Sequence, residues 1–213
     1  PRRADSGEIG QERWLWLRLK LLADAGIVGR PNAGKSTFLS VISEAKPKIA
    51  EYPFTTLNPQ LGVVLIDGYD FVIADIPGLI EGAHLGAGLG DRFLGHLERC
   101  TVLAHLVDGT EDNPSETYHT IRKELAAYGE NLSRKPEVII LSKCDSLTPV
   151  QCDERIRALA DTAKQPVIRL SSMSGEGVKT ALRTLSDIVK QNKKKNNISS
   201  NHQQSYNPIH GMS

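Results

Sequence analysis

The chain has 213 residues, of which 39% are hydrophobic and 24% charged, a balance typical of a soluble globular protein with one substantial core. Its 26 basic and 25 acidic residues nearly cancel to a formal net charge of +1, so charge alone does not require a nucleic-acid partner. The three cysteines form no Cys-x-x-Cys pair, which favours a reducing compartment over a disulfide framework. Because Arg18, Lys20 and Asp24 interrupt the apolar residues 14–28, we expect no membrane span, no signal peptide and a cytoplasmic location.

The first predicted element is a half-buried strand over residues 15–21, where leucine at every odd position alternates with Trp16, Arg18 and Lys20. A single strand with one apolar face needs a partner that covers this face. We expect the partner to be an upstream domain, so that residues 1–21 form its last strand and a linker. The alternative is that the strand simply begins the domain seen here.

Short apolar runs then alternate with helical patterns as far as residue 190. The predicted strands cover residues 22–28, 61–66, 71–74, 101–107, 138–141 and 167–170. The predicted helices begin near residue 35 and cover residues 115–128, 149–163 and 178–188. This alternation predicts one α/β domain, residues 22–190, with a doubly wound, mainly parallel sheet and helices on both faces. The Asp67-Gly68 pair predicts a hairpin, which makes one edge strand antiparallel.

The composition changes after residue 190. Lys193-Lys194-Lys195 is followed by Asn, Ser, Gln and His with few apolar residues. Such a segment buries too little surface to order itself, so residues 191–213 are predicted to be a disordered basic and polar tail.

The segment after the strand 22–28 matches the phosphate-loop pattern G-x-x-x-x-G-K-[ST], which predicts a P-loop NTPase fold. Its glycines let backbone N–H groups wrap a β-phosphate, and the helix that follows points its positive end at the anion. Lys35 would neutralise the β- and γ-phosphates, and the Ser36 hydroxyl would bind Mg²⁺. The predicted phosphate-binding residues are Gly29, Arg30, Pro31, Asn32, Ala33, Gly34, Lys35, Ser36 and Thr37.

A second phosphate-sensing segment is predicted directly after the strand 71–74. Its residues are Asp75, Ile76, Pro77 and Gly78. Asp75 would hold Mg²⁺, usually through water, and the N–H of Gly78 would sense the γ-phosphate. The same tetrapeptide alone is often a plain turn, and its position after a phosphate loop is what favours the functional interpretation.

The five glycines at positions 78, 82, 86, 88 and 90 make the next segment too permissive to hold one conformation unaided. This is typical of a switch that γ-phosphate contacts order and hydrolysis releases, and the alternative is a plain flexible loop. Leu79 follows Gly78 at the position where many small GTPases carry a water-orienting glutamine. Another group must therefore orient the water, such as His84 or a bound cation. The alternative for His84 is that it is merely an exposed loop residue.

A first switch is predicted between the first helix and the hairpin. Its residues are Phe54, Thr55, Thr56, Leu57 and Asn58. A threonine here would add its hydroxyl to Mg²⁺ and its N–H to the γ-phosphate, and both bonds require the triphosphate. Spacing alone does not choose between Thr55 and Thr56.

A guanine pocket is predicted after the last two strands, where Ser142, Lys143, Cys144 and Asp145 follow one strand and Ser171, Ser172 and Met173 follow the other. The Asp145 carboxylate would accept both the N1–H and the N2–H₂ of guanine, a donor pair that adenine lacks. The Lys143 stem would cover the base face, and a backbone N–H of residues 171–173 would reach the guanine O6. Ser142 stands where asparagine is usual, so we expect weaker nucleotide binding.

The order of these motifs also favours one site. The phosphate loop, Asp75, Asp145 and Ser171 each follow a predicted strand. Doubly wound sheets bind ligands at the carboxyl ends of their strands, so the four segments should meet at one edge.

Six segments together resemble the Obg family of bacterial GTPases over about residues 12–190. They are residues 13–17, 45–50 (AKPKIA), 52–57 (YPFTTL), 75–83 (DIPGLIEGA), 86–90 (GAGLG) and 96–100 (HLERC). The resemblance implies a glycine-rich N-terminal domain upstream, slow hydrolysis of GTP to GDP, weak nucleotide affinity and a switch role in large ribosomal subunit maturation and stress response. It assigns Thr56 and Ser36 as the Mg²⁺ ligands, and Ser142 and Met173 depart from its pattern.

The resemblance further implies the large ribosomal subunit, with its protein and rRNA, and the nucleotide ppGpp as partners, and we expect a monomer. For the tail, a contact with ribosomal RNA is the alternative to a solvated segment. In related potassium-stimulated GTPases, an asparagine at the position of Asn32 helps bind K⁺ beside the phosphates. A K⁺ ion could then replace the missing glutamine, and the alternative is that Asn32 only stabilises its loop.

Two other functions are compatible with the motifs. In one, the domain is a binding module whose nucleotide only sets the shape of a ribosome-docking surface. In the other, it is an ATP-using phosphate-loop enzyme such as a small-molecule kinase. Asp145 argues against ATP because adenine would leave its carboxylate unpaired.

Overall fold

The computed structural model describes residues 10, 12–14, 23–43, 48–49, 59–75 and 97–203, with the backbone alone for 48–49 and 196–203. The predicted strand 15–21, both predicted switches and residues 204–213 therefore lie outside the described residues, apart from Asp75. Thr56, Gly78 and His84 belong to this part of the chain, so their proposed roles stay predictions.

The described residues form one seven-stranded sheet with the strand order β2-β3-β4-β1-β5-β6-β7. The strands are β1 (Ala25–Val28), β2 (Lys48–Ile49), β3 (Gln60–Ile66), β4 (Tyr69–Asp75), β5 (Val102–Asp108), β6 (Glu137–Ser142) and β7 (Val167–Arg169). All neighbours are parallel except β3, which is antiparallel to both β2 and β4. The predicted fold is thus confirmed. One detail differs, because β2 pairs with the outer side of β3 and places the antiparallel strand second from the edge.

Five α-helices have described bounds, four between strands and one after the last strand. They are α1 (Lys35–Ile42), α2 (Pro114–Tyr128), α3 (Glu130–Ser133), α4 (Pro149–Ala163) and α5 (Val178–Gln203). Local chemistry fixes where the longer ones begin: Asn113 caps α2 by accepting from the Glu116 N–H, and Thr148 forms a capping box with Gln151 at α4. A proline stands at the first position of both helices, where its missing N–H costs nothing.

The core has a layer on each face of the sheet. β1 and β5 are buried along their whole length, because helices cover both sides of the sheet centre. Leu106 packs with Phe38 of α1 and Leu185 of α5 on one face. Its near neighbour Leu103 packs with Leu125 of α2 on the other face. Alternate residues of one strand therefore serve the two layers.

The hairpin between β3 and β4 turns at Asp67 and Gly68, as predicted. Both residues have positive φ, 49° and 72°, which is the backbone that a two-residue hairpin with the right strand twist requires. The turn is held to the C-terminal helix, because Arg183 donates to both carboxylate oxygens of Asp67 at 2.8 and 3.0 Å.

The C-terminal helix is longer than predicted and includes residues 191–203, where a disordered tail was expected. α5 continues without interruption to Gln203. The Lys193 ammonium lies 2.9 Å from the buried Asp24 carboxylate, and Lys190 and Lys193 lie over the Tyr69 ring at 4.6 and 5.5 Å. The prediction counted apolar burial alone, whereas Lys190 and Lys193 attach this part of the helix to the sheet through charge and ring contacts. None of the described helices combines the length and the apolar character that crossing a membrane requires.

Candidate functional site: a phosphate loop and a base motif at one sheet edge

The phosphate loop connects β1 to α1 in a backbone shape that its sequence explains. Gly29 has φ 149°, and a Cβ there would lie 2.3 Å from the Leu106 carbonyl oxygen, so a side chain is excluded. Asn32 and Gly34 have φ 65° and 87°, in the left-handed region that glycine and asparagine tolerate best. These positions let the loop turn tightly just before the N-terminus of α1, as a phosphate-binding loop requires.

Lys35 is held at this curve by its own loop. Its ammonium donates to the carbonyl oxygens of Gly29 and Arg30 at 2.9 and 2.8 Å. Burial lowers the pKa of Lys35 from its ordinary value, and the nearby Asp75 carboxylate partly opposes that shift. A partly desolvated ammonium interacts strongly with an arriving phosphate, since little water remains to be displaced.

Ser36 and Asp75 are in direct contact. The Ser36 hydroxyl donates to Asp75 Oδ2 at 2.6 Å, which links the first turn of α1 to the last residue of β4. Asp75 is buried, and its second oxygen, Oδ1, has no hydrogen-bond partner among the described residues. Hard oxygen donors with a vacant buried lone pair suit Mg²⁺, so Ser36 and Asp75 fit the predicted metal.

Ser142 makes a contact that the sequence did not predict. Its buried hydroxyl lies 2.8 Å from the Ala33 carbonyl oxygen and 3.1 Å from the Val107 carbonyl oxygen. Because a serine carries one O–H, it can donate fully to one of them. Ser142 therefore ties the end of β6 to the phosphate loop, although it is shorter than the expected asparagine.

The next residues of the base motif point in different directions. Lys143 has φ 57°, and its ammonium pairs with Asp108 Oδ2 at 2.6 Å. Asp145 is exposed in a short 3₁₀ turn that begins at Cys144. The Cys144 thiol instead donates into the core, to the Leu141 carbonyl oxygen at 3.2 Å, and burial raises its pKa to about 12. The Cys144 side chain is therefore part of the core and does not face the site.

Hydrogen bonds within the segment after β7 limit which backbone N–H could reach the guanine O6. The Ser171 N–H already donates to the Glu176 carbonyl oxygen at 3.0 Å, and the Ser171 hydroxyl accepts from the Ser174 N–H at 3.1 Å. This leaves the amides of Ser172 and Met173 to reach a base. The Met173 side chain is 81% exposed.

Sheet register brings these parts to one edge. Ile27, just before the phosphate loop, lies beside Asp75, and Asp108 lies beside Ser142. The Cys144 N–H donates to the Leu170 carbonyl oxygen at 3.1 Å, which ties the base motif to the end of β7. The carboxyl-edge clustering predicted from the motif order is thus observed for the described residues.

The sequence reasoning missed the loop after β5, residues 108–111. Asp108 ends β5 just as Asp75 ends β4, and that strand-end aspartate was the available signal. Glu111 lies 3.9 Å from the Arg30 guanidinium. A polar cavity of about 530 Å³ opens beside it, lined by Arg30, Thr110, Glu111, Asp112, Asn113, Glu116, Thr117 and Thr120. No residue of the base motif lines this cavity, so it is distinct from the guanine pocket.

These parts define a class of protein, the P-loop GTPases. Within that class, the 50S ribosome-binding GTPase family matches residues 24–143, more than half of the chain, and the chain belongs to that family. It is therefore a GTP-binding domain that hydrolyses GTP.

Several solved structures share the fold. Nucleolar GTP-binding protein 1 from Plasmodium falciparum is 23% identical with a TM-score of 0.59, over 84% of this chain and 92% of that one. The G domain of the FeoB iron transporter from T. maritima is 19% identical with a TM-score of 0.58, over 77% of this chain and 96% of that one. A GDP-bound S. thermophilus NFeoB mutant is 19% identical with a TM-score of 0.58, over 75% of this chain and 58% of that one. At these identities the likeness concerns the fold.

Proposed function

We propose that this GTPase is an Obg-type, Mg²⁺-dependent slow switch that acts in large ribosomal subunit assembly and in stress response. The observation that carries the switch is the bond between Ser36 and Asp75. It joins the phosphate loop to the residue after which the glycine-rich segment departs, so a change at the phosphates acts directly on that segment. The Obg-like motifs and the membership in the 50S ribosome-binding GTPase family support the ribosomal partner.

The phosphate side of the site would work as follows. Lys35 exchanges its two loop carbonyls for β- and γ-phosphate oxygens, and the backbone N–H groups of residues 29–36 cradle the β-phosphate. Ser36 and Thr56 would hold Mg²⁺ directly, and Asp75 would hold it through water. When bound, Mg²⁺ neutralises charge that develops on the phosphates.

Hydrolysis should be slow, about 10⁻⁴ s⁻¹, because Leu79 cannot orient water and the motifs supply no arginine in place of glutamine. His84 or a K⁺ ion beside Asn32 would supply the missing help. Asn32 is exposed at the loop with φ 65°, a placement that leaves its side chain open to such an ion.

The base side would select guanine. Asp145 accepts the two guanine donors, Lys143 covers the base face, and Ser172 or Met173 donates to O6. An adenine nucleotide would leave the Asp145 carboxylate without its donor pair. Further members of this proposal are ppGpp as a second guanine nucleotide, a cytoplasmic location and an upstream domain before residue 22.

Co-sedimentation with large ribosomal subunits tests the proposal. We expect binding with a non-hydrolysable GTP analogue and little with GDP, and Thr56→Ala should abolish the difference while GDP binding persists. Docking that ignores the nucleotide would contradict the switch, and no docking in either state would contradict the ribosomal partner.

A further inference from the structure

The loop of residues 108–111, here called the β5 loop, contacts both halves of the nucleotide site. Asp108 accepts from the Lys143 ammonium of the base motif at 2.6 Å. The Gly109 N–H donates to the Ser142 carbonyl oxygen at 2.9 Å. Glu111 pairs with Arg30 of the phosphate loop. A segment outside the recognised motifs therefore joins them.

The Asp108 carboxylate is oriented by its own loop. Its Oδ1 accepts from the Thr110 N–H at 2.8 Å and from the Thr110 hydroxyl at 2.7 Å, which leaves Oδ2 for Lys143. Burial alone would raise the pKa of Asp108, but the hydrogen bonds from Lys143 and Thr110 outweigh it and lower the pKa. The group is thus a fixed anion at neutral pH.

The β5 loop is in turn fixed from behind. Arg155 of α4 donates to the Gly109 carbonyl oxygen and, at 2.7 Å, to the Glu111 carbonyl oxygen. A guanidinium that bridges two carbonyls of one loop limits the movement of that loop. Asp108 therefore sits on a support that is rigid relative to α4.

Lys143 is the residue that the fixed Asp108 carboxylate holds in place. Its left-handed backbone, with φ 57°, is unfavourable for a residue other than glycine, so its surroundings must hold it in place. The side chain is 37% exposed while its ammonium is anchored on the 9% exposed Asp108. A free lysine would lose rotamer entropy on binding a base, and an anchored stem has already lost it.

We propose that Asp108 is a positioning residue for guanine recognition, which anchors the Lys143 ammonium so that the lysine stem is ready to cover the base. The inference rests on the guanine pocket proposed above. Asp108 itself would touch neither the nucleotide nor the metal, and its effect would pass through Lys143.

A double-mutant cycle on the GDP dissociation constant, measured calorimetrically, tests this route. Asp108→Asn presents an amide to the ammonium and should weaken GDP about tenfold, the value of one charge-assisted hydrogen bond. Lys143→Met keeps an apolar stem and should weaken GDP by a similar factor. If Asp108 acts through Lys143, the double variant is no weaker than Lys143→Met alone. Additive losses, or an unchanged affinity in Asp108→Asn, would overturn the inference.

Two further variants keep the test decisive. Asp67→Asn removes a comparable aspartate from the Arg183 pair at the hairpin and should leave GDP affinity unchanged. Thr110→Val serves as the test if Asp108→Asn does not fold. It preserves the side-chain shape but removes one hydrogen bond that orients Asp108, and it should weaken GDP binding about threefold. No effect of Thr110→Val in a folded protein would then contradict the proposal.

Nucleotide binding by the wild-type protein distinguishes a failure of the guanine pocket from a failure of the Asp108 role. If it binds ADP as tightly as GDP, the guanine pocket itself is wrong. If it prefers GDP but Asp108→Asn binds GDP equally well, the pocket stands and the role of Asp108 falls.

Discussion

The two ends of the sheet use similar ion pairs for different purposes. At the carboxyl ends, Lys143 pairs with the buried Asp108 next to the proposed nucleotide site. Lys35 donates to loop carbonyls there, and Ser36 donates to the buried Asp75. At the amino ends and the hairpin, Lys193 pairs with Asp24 and Arg183 pairs with Asp67, and both hold α5 against the sheet. The comparison shows that a pair between a basic side chain and a carboxylate does not by itself indicate a binding role or a structural role. Its role follows from which strand end it occupies.

One strand belongs to both regions. β4 begins at Tyr69, under the lysines of α5, and ends at Asp75, bonded to Ser36. Substitutions near its Asp75 end should therefore affect nucleotide binding and hydrolysis, and substitutions near its Tyr69 end should affect folding stability.

The largest effect is expected for Lys35→Ala. Losing the ammonium at the developing phosphate charge should slow single-turnover GTP hydrolysis at least about 100-fold. Lys193→Ala is the matched control, because it removes an equally well-paired lysine from the other end of the sheet and should leave the rate unchanged. Equal rates for wild type and Lys35→Ala would contradict the contrast between the two ends.

A smaller effect is expected for Asp75→Asn. The variant retains an oxygen for Ser36 but loses the charge that would hold the water shell of Mg²⁺. The Mg²⁺ concentration for half-maximal GTP binding should rise about tenfold or more, as measured by titration with a fluorescent GTP analogue. An unchanged Mg²⁺ dependence would remove Asp75 from the metal site.

A third effect concerns stability. Lys193→Ala leaves the 8% exposed Asp24 carboxylate without its cation, although the lysine is itself 47% exposed and its contribution is screened. The free energy of unfolding should fall by about 1 kcal/mol in urea titrations. Lys194→Ala, at the next and exposed position, should change nothing measurable. Equal stability of the two variants would mean that the pair does not hold the helix.

The smallest effect is a pH dependence at the amino end of β6. Glu137 accepts from Tyr118 at 2.7 Å and lies 3.6 Å from His105 and 3.4 Å from Arg122. Burial alone would raise the pKa of Glu137, but these three partners favour the carboxylate and hold its pKa below the ordinary 4.5. A depressed folded pKa means that the stabilisation is present above 4.5 and is lost as the pH falls through the folded pKa.

Urea unfolding between about pH 6 and pH 3 measures this effect. Glu137→Gln should flatten the decline, whereas Glu130→Gln, in an exposed pair with Arg134, should not. If both variants decline like wild type, the acid sensitivity comes from other carboxylates.

Much of this architecture was predictable from local patterns. The β3–β4 turn follows from Asp67-Gly68, the helix that begins at Pro149 follows from its local pattern, and the carboxyl-edge site follows from motifs that come directly after predicted strands. These features depend on short-range chemistry, which the sequence displays directly.

Contacts over long sequence separations were harder to predict. The bonds of Ser142 to Ala33 and of Lys193 to Asp24 depend on which elements the folded sheet brings together. The pairing of Lys143 with Asp108 is of the same kind, because β5 and β6 must first lie side by side. Nothing in the local sequence around either partner predicts the other.

A competition titration of GTP against ATP tests the central claim most directly, namely that the carboxyl edge of this sheet is a guanine-nucleotide site. With a fluorescent GDP as the displaced probe, GTP should compete at a concentration at least about 100-fold lower than ATP, because adenine leaves Asp145 unpaired. Comparable competition by the two nucleotides would contradict the account.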